Sequence, residues 1–333
     1  MSVTKRTCAA LCLIFSLLGL AEADELRPVG MYTWENDAWQ RTPSELAWRG
    51  EVPWYDYDAE ISKIPKKHDR DGQIFQKLAF GATWIPAGGD HGLGMTRATA
   101  DLTLALPGPN FPNIKRSFFL LSPTFGYTAV DWQRQTAFPD SLFHAGVGVT
   151  WITEISDRWM LMAGGTPVWS SDGRETRNCV RCPAYAGVVW SPDPRWKFTL
   201  GVSYMAQSNL PVLPFGGVSW TPNDDWRIEI MAPRSRIGRR LTGISTENLQ
   251  HWLYVAGGYD WDSWAVRSTG GAADFAMYHE YSVLLGYECV KTGCVTWNIE
   301  IGTLFWRKME FDRGTQGTFR PEDSVVLRTK ISF

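Results

Sequence analysis

From Gln73 to Phe333 the chain alternates apolar and polar positions in short runs, separated by breaks rich in Gly, Pro and Asp. That rhythm is the signature of strands, not helices. It predicts strands over 73–84, 95–106, 117–130, 143–153, 159–169, 184–190, 196–205, 212–221, 226–235, 250–259, 263–269, 276–289, 295–311 and 324–333. In 196–205, Trp196, Phe198, Leu200, Val202 and Tyr204 alternate with Lys197, Thr199, Gly201, Ser203 and Met205. In 143–151, Phe143, Ala145, Val147, Val149 and Trp151 alternate with His144, Gly146, Gly148 and Thr150. In 95–106, Ala98, Ala100, Leu102, Leu104 and Leu106 alternate with Arg97, Thr99, Asp101 and Thr103. The terminal strand puts Val325, Leu327, Thr329, Ile331 and Phe333 on one face and Val326, Arg328, Lys330 and Ser332 on the other. Apolar outside, polar inside and an aromatic terminus suit a membrane-spanning barrel, whose outer face meets lipid and whose inner face meets a wet lumen. A soluble half-buried sheet is the competing explanation. In a barrel the register is enforced, because a one-residue slip puts charges in lipid at about 2–4 kcal/mol each.

The fold predicted is all-β: a transmembrane antiparallel up-and-down barrel of about fourteen strands, with twelve as the alternative. Even numbers are the habit of single-chain bacterial barrels, with short periplasmic turns and longer outer loops. With the C-terminus periplasmic, the turns after 153, 190, 221, 259 and 289 lie inside and the connections after 84, 130, 169, 235 and 311 outside. The exposed step is a hairpin at Asp260-Trp261-Asp262. If 250–269 is one strand, the short turns no longer share a side.

Three short acidic turns are each flanked by tryptophan: Trp151 and Trp159, Trp190 and Trp196, Trp220 and Trp226. Pro, Asp and Asn set such reversals, and an indole prefers the membrane–water boundary. These six residues are expected to form an aromatic girdle. The N-terminus supports export: Lys5 and Arg6 precede an apolar run from Cys8 to Leu20, and Ala21-Glu22-Ala23 reads as a cleavage site. Residues 1–23 are therefore expected to be a secretory signal and 73–333 the barrel. Between them, residues 24–72 scatter Trp34, Trp39, Trp48, Trp54, Tyr55 and Tyr57 among prolines and charges without strand period. They read as a periplasmic extension, a lumen plug or a platform for stacking on sugars. No later segment has the roughly 18 uninterrupted apolar residues of a membrane helix. An exported chain without one spans a membrane only as a closed barrel, and the cell outer membrane is the expected location.

Composition changes little. Eighteen tryptophans, 31 glycines and 14% aromatics suit a barrel, and a formal net charge of −2 carries no basic excess for nucleic acid. No cofactor is expected, and the partners expected are outer-membrane lipid and, during biogenesis, the barrel-assembly machinery. The oligomeric state expected is a monomer.

Several stretches resemble an uncharacterised family of bacterial outer-membrane β-barrels known as a domain of unknown function. They are Gly81-Ala82-Thr83-Trp84-Ile85-Pro86 with Gly88-Gly89-Asp90, the run from Leu213 to Asp225, Trp252–Gly258, Ser263-Trp264-Ala265-Val266 and Tyr281–Glu288. The resemblance spans roughly residues 73 to 333. It implies fold, location and a terminal Phe333 that acts as an assembly signal, and it carries over no catalytic or ligand residues.

The chemistry-bearing residues are sparse. Cys179-Val180-Arg181-Cys182 has no neighbouring His cluster, and an oxidising compartment favours a loop-stapling disulfide. Cys289 and Cys294 flank a four-residue loop and are a second disulfide candidate. No metal site is expected. Asp90-His91 would serve a hydrolase only with a distant nucleophile, and there is no GxSxG elbow. Arg97, Asp101, His144, Arg227, Glu229, Glu280, Glu288, Glu300, Arg328 and Lys330 are expected to face the lumen. Mixed signs brace a lumen more often than they filter ions. The function expected is non-enzymatic, a passive small-solute pore or a structural envelope protein. The rivals are a barrel hydrolase acting on lipid or peptide, and a surface protein that binds ligands with its outer loops.

Overall fold

The computed structural model describes residues 74–89, 92–109, 111–112, 114–132, 138–176, 179–206, 212–246, 248–267, 273–291, 295–312 and 317–333. The expected signal peptide and the 24–72 segment lie outside them, as do Asp90, His91 and Cys294. Sixteen strands follow in chain order. They are β1 (Phe75–Ile85), β2 (Gly94–Pro107), β3 (Arg116–Asp131), β4 (Ser141–Glu154), β5 (Trp159–Gly165), β6 (Val168–Ser171), β7 (Val180–Arg181) and β8 (Ala184–Asp193). Then come β9 (Trp196–Tyr204), β10 (Val212–Asn223), β11 (Trp226–Ala232), β12 (Arg234–Arg240), β13 (Leu249–Arg267), β14 (Ala273–Lys291), β15 (Thr296–Phe311) and β16 (Ser324–Ser332). All belong to one sheet, which closes on itself where β1 pairs with β16 and β12 with β13.

Two barrel strands are broken. β4 pairs with β5 over Val149–Glu154 and with β6 over Phe143–Gly146, so β5 and β6 are one strand interrupted at Thr166-Pro167. β7 and β8 are likewise one strand, interrupted at Cys182-Pro183. Proline has no N–H for the ladder, so the pairing fails at both. Counting each broken strand once gives a closed barrel of fourteen.

The tight turns between β8 and β9 and between β10 and β11 are built by side chains that cap their own backbone. Arg195 N donates to Asp193 Oδ1 at 2.7 Å, and Asp225 N to Asn223 Oδ1 at 3.0 Å. Both turns lie at the end that also holds Phe75 and Phe333 (the turn end), which is the periplasmic one by the usual rule for such barrels. The opposite, loop end carries connections 86–93, 132–140, 172–179, 205–211, 268–272 and 312–323.

The barrel has two storeys. β9 to β12 stop short of the loop end, and above them β6 reaches across to β13. Ser171 pairs there with Ala265 in parallel, and Asp172 N donates to Ala265 O at 3.1 Å. The ring at that level is β1, β2, β3, β4, β6, β13, β14, β15 and β16. Strands of alternating direction close only in even numbers, so a ring of nine needs one parallel pair, and β6–β13 is that pair.

Two expectations are corrected, and one irregularity is added. Asp260-Trp261-Asp262 is not a hairpin: β13 runs unbroken from Leu249 to Arg267 and pairs residue by residue with β14. Its even-numbered residues all point inward, and Asp260 and Asp262 stay in the strand because inward arginines hold them. The fourteenth strand is instead β12, in what read as a long loop after 235. Arg234, Arg236 and Arg240 line its inward face, a pattern that imitates a solvated connection. Its link to β11 is only Pro233, so one of the shortest connections lies at the loop end. Finally, a bulge in β15 skips register opposite His279 and Tyr281, with Trp306 at φ 51. Beyond it Arg307, Met309 and Phe311 turn inward while Trp306 stands 75% exposed on the outside.

Candidate functional site

The outer wall is apolar. Leu200, Val202, Ile230, Val255, Leu285 and Ile301 are exposed on it, with Leu200 at 65%. The residues between them, Lys197, Thr199, Tyr254, Glu288 and Glu300, are buried inside. A belt of exposed aliphatic side chains this extensive is intolerable in water and ordinary in lipid. A closed barrel satisfies every internal ladder without an edge. The chain is an integral outer-membrane barrel. At the turn end an aromatic strip crosses the outer face: Trp159 stacks with Trp190 at 6.0 Å, Trp190 lies 5.3 Å from Phe198, and Trp196 stacks with Trp220 at 5.1 Å. Trp226 lies under Arg239 at 5.4 Å, and Trp151 Nε1 donates to Ser117 Oγ at 2.8 Å.

The interior is layered. The loop end is filled by apolar side chains from every strand of the nine-strand ring except β6, among them Ile85, Met95, Val130, Leu142, Trp264, Met309 and Val326. Above them Trp132, Phe138, Phe311 and Phe319 form a closed cycle of edge-on ring contacts at 5.4, 6.1, 6.2 and 5.3 Å. That is the favoured aromatic geometry. Arg307, 2% exposed, ties this cap to the wall: it donates to Tyr278 OH at 2.7 Å, Leu93 O at 2.6 Å and Glu322 O at 2.9 Å.

Beneath the cap lies a charged layer. Asp260 accepts from Arg234 Nε at 2.9 Å and from Arg328 Nη2 at 3.0 Å. Arg328 also donates to Glu280 at 3.1 Å, and Tyr278 OH donates to the other Glu280 oxygen at 2.7 Å. Arg97 pairs with Asp262 and reaches Thr128, while Asp101 accepts from Thr124. Nearer the turn end Arg236 lies 3.4 Å over the Tyr254 ring and 3.5 Å from Glu288, and Tyr254 OH donates to Glu300 at 2.8 Å. Glu229 sits opposite Arg236 in the ladder, and Lys330 between Gly81 and Asn298. Alternation assigned ten residues to the lumen; of these Arg97, Asp101, His144, Glu280, Glu288, Glu300 and Arg328 are buried, and Arg227, Glu229 and Lys330 are half-buried. It missed Asp260, Asp262, Arg234, Arg236, Tyr254, Tyr278 and Arg307. Unbroken parity through 250–266 was the available signal for those on β13, whereas the bulge that turns Arg307 inward leaves none.

Several inward rings lie flat on a glycine directly across the ladder: His144 on Gly126, Tyr185 on Gly164, Phe215 on Gly201 and Tyr254 on Gly286. A Cβ at Gly286 would stand 2.0 Å from the Tyr254 ring. Gly286→Ala is therefore expected to push Tyr254 off Glu300 and cost about 1–3 kcal/mol by overpacking. A lower temperature for the unfolding shift on a detergent gel would show it, and an unchanged one would deny the close approach. His144 is thus a wall residue seated on Gly126.

The cysteines do not form the expected CxxC staple. Cys179 is a buried thiol that donates to Thr176 O at 3.2 Å, and Cys182 is an exposed thiol. The extended pair Val180–Arg181 between them holds the Cα atoms about 10 Å apart, beyond the roughly 7 Å limit for a bridge. Cys289, also a thiol, faces Trp297 across the ladder.

At the turn end the lumen opens into a cavity of about 690 Å³ lined by residues of the β8–β9 and β10–β11 turns and by Arg227, Arg240, Gln250 and Trp252.

No protein-family model matches the chain, and no curated protein does. Among solved structures it is similar to a NanC porin, 11% identical, with 77% of this chain and 98% of that one covered at a TM-score of 0.35. It is also similar to a bacterial polysaccharide outer membrane secretin, at 11% identity, 78% and 98% coverage and a TM-score of 0.37. LpxR from Salmonella typhimurium is 10% identical over 78% of this chain and 99% of that one, at a TM-score of 0.35.

Proposed function

We propose that the protein is a structural, non-conducting barrel of the outer envelope, and that it belongs with the uncharacterised outer-membrane barrels its motifs resemble. The observation that carries this reading is the apolar filling of the loop end beneath the ring of Trp132, Phe138, Phe311 and Phe319. A hydrated solute crossing that layer would give up its water to side chains with no hydrogen bonds to return, at several kcal/mol per polar group. The charged layer below fits the same role. Asp260, Glu280, Arg234 and Arg328 are joined to one another, and such a lattice braces the wall. Planar-bilayer recording on refolded protein is the test. We expect no steady ohmic current at moderate voltage, and a conductance typical of an open barrel in the wild-type chain would overturn the reading.

A further inference from the structure

The turn-end vestibule is basic where the deeper lumen is balanced. Its lining carries Arg195, Arg227 and Arg240 against Asp224, with Asp225, the partner of Arg240, just behind, which leaves an excess of one positive charge. Their positions are fixed by separate elements. Arg195 sits in the β8–β9 turn, Arg227 lies 4.2 Å over the Trp252 ring, and Arg240 donates to Asp225 at 2.9 and 3.1 Å. Pro194 and Pro222 supply rigid apolar surface beside the guanidinium groups, and Trp252, buried under Arg227, backs the wall. A cavity of about 690 Å³ is in the range of roughly 300–1,000 Å³ that holds a compact ligand.

The chain enters the barrel at this same end, since β1 begins at Phe75. Upstream lies Glu51-Val52-Pro53-Trp54-Tyr55-Asp56-Tyr57-Asp58-Ala59-Glu60, which has four carboxylates, three aromatic rings and no cation. The link from Glu60 to Phe75 spans about 50 Å when extended, at roughly 3.3–3.6 Å per residue. Fourteen tilted strands spaced about 4.8 Å apart enclose a mouth roughly 28 Å across. The run therefore reaches any point of the vestibule. We propose that residues 51–60 dock there, with Asp56, Asp58 and Glu60 meeting Arg195 and Arg227 and with Trp54, Tyr55 and Tyr57 packed on the proline wall. Arginine is the cation suited to both contacts, since it pairs bidentately with carboxylates and stacks on rings. The tether favours this occupant over a free anion, because a short linker supplies an effective concentration near the millimolar range. The proposal stands whether or not the barrel conducts.

Photo-crosslinking of the full mature chain tests it, with p-benzoylphenylalanine placed at Tyr55, mass-spectrometric mapping, and folding checked by heat-modifiable migration. The expected crosslinks fall within residues 192–197, 219–227 or 250–254. Arg195→Glu with Arg227→Glu should cut their yield about tenfold, the equivalent of roughly 1.4 kcal/mol. Adding Asp56→Lys and Asp58→Lys to that variant should restore it. Crosslinks to lipid, to other proteins or to other parts of the barrel would overturn the proposal. So would a yield indifferent to charge reversal, or adducts joining isotope-labelled and unlabelled copies in a mixed sample.

Discussion

Asp260→Ala is expected to cost the barrel about 3–5 kcal/mol, the usual penalty for removing one member of a buried ion network. Asp260 is 5% exposed and joins two arginines that no neighbour in sequence would bring together: Arg234 on β12 and Arg328 on β16. Truncation removes the carboxylate that both guanidinium groups share, and of the two acids on Arg328 only Glu280 remains. Two comparisons separate this mechanism from simple loss of packing. Asp260→Asn keeps the volume and one acceptor, so it should fall between the alanine variant and the parent. Replacing Asp260, Glu280, Arg234 and Arg328 together by apolar residues of similar size should recover most of the loss, because the unpaired charge, more than the missing pair, is the expensive item. The denaturant midpoint of the refolded protein in detergent reads all three. A midpoint for Asp260→Ala equal to that of the parent would show that the network contributes nothing.

Removing Phe333 is expected to leave export intact and to reduce sharply the amount of folded barrel in the membrane. The residue does more at the seam than point an aromatic ring at the interface. Its N–H donates to Leu78 O at 2.8 Å, and its carbonyl accepts from Leu78 N at 3.1 Å. These are the outermost bonds of the β1–β16 closure, at the end where the barrel frays most easily. Phe333→Ala keeps them and forfeits only the side chain, worth about 1–3 kcal/mol at the interface. Deletion forfeits both. We also propose that the terminal ring is a recognition element for the barrel-assembly machinery, in which case the alanine variant too accumulates poorly in cells while refolding well in detergent. Heat-modifiable migration of membrane fractions, set beside refolded protein, distinguishes the two contributions. Parent-like accumulation of both variants would make the terminal residue incidental.

Much of the fold is written in period-two alternation, because lipid on one side and a polar interior on the other leave no freedom of register. The faces of β2, β4, β9 and β16 follow from it directly. The strand total was legible only through two errors that cancel, a hairpin drawn at Asp260 and a strand overlooked at Arg234–Arg240. Both have one cause. Charged residues on an inward face look like loop when the partner charges are far away in sequence, as Arg328 is from Asp260. The two-storey architecture was not legible, since it depends on β9 to β12 ending early and on β6 finding β13. The apolar cap was hidden for a related reason. Trp132, Phe138, Phe311 and Phe319 lie in or beside loops, where alternation has nothing to say and where such rings read as exposed. The vestibule cations Arg195 and Arg240 sit at turns and were missed likewise.

The parallel junction between β6 and β13 also fixes an order of events. Asp172 and Arg267, joined there at 3.0 Å, lie 95 positions apart in the chain. Contacts so distant carry a heavy loop-closure cost unless intervening structure has already drawn them together. Here the intervening structure is the hairpin series from β7 to β12, each member pairing with its neighbour, which must be in place before β13 can arrive beside β6. Until then the growing barrel is an open-topped tube with a wide mouth at the loop end. The β6–β13 contact narrows the ring to nine strands and brings Trp264 and Val266 of β13 against the other apolar side chains of the loop end. Sealing of the loop end therefore waits on that contact, and a membrane receiving this protein is expected to meet an unsealed barrel until it forms.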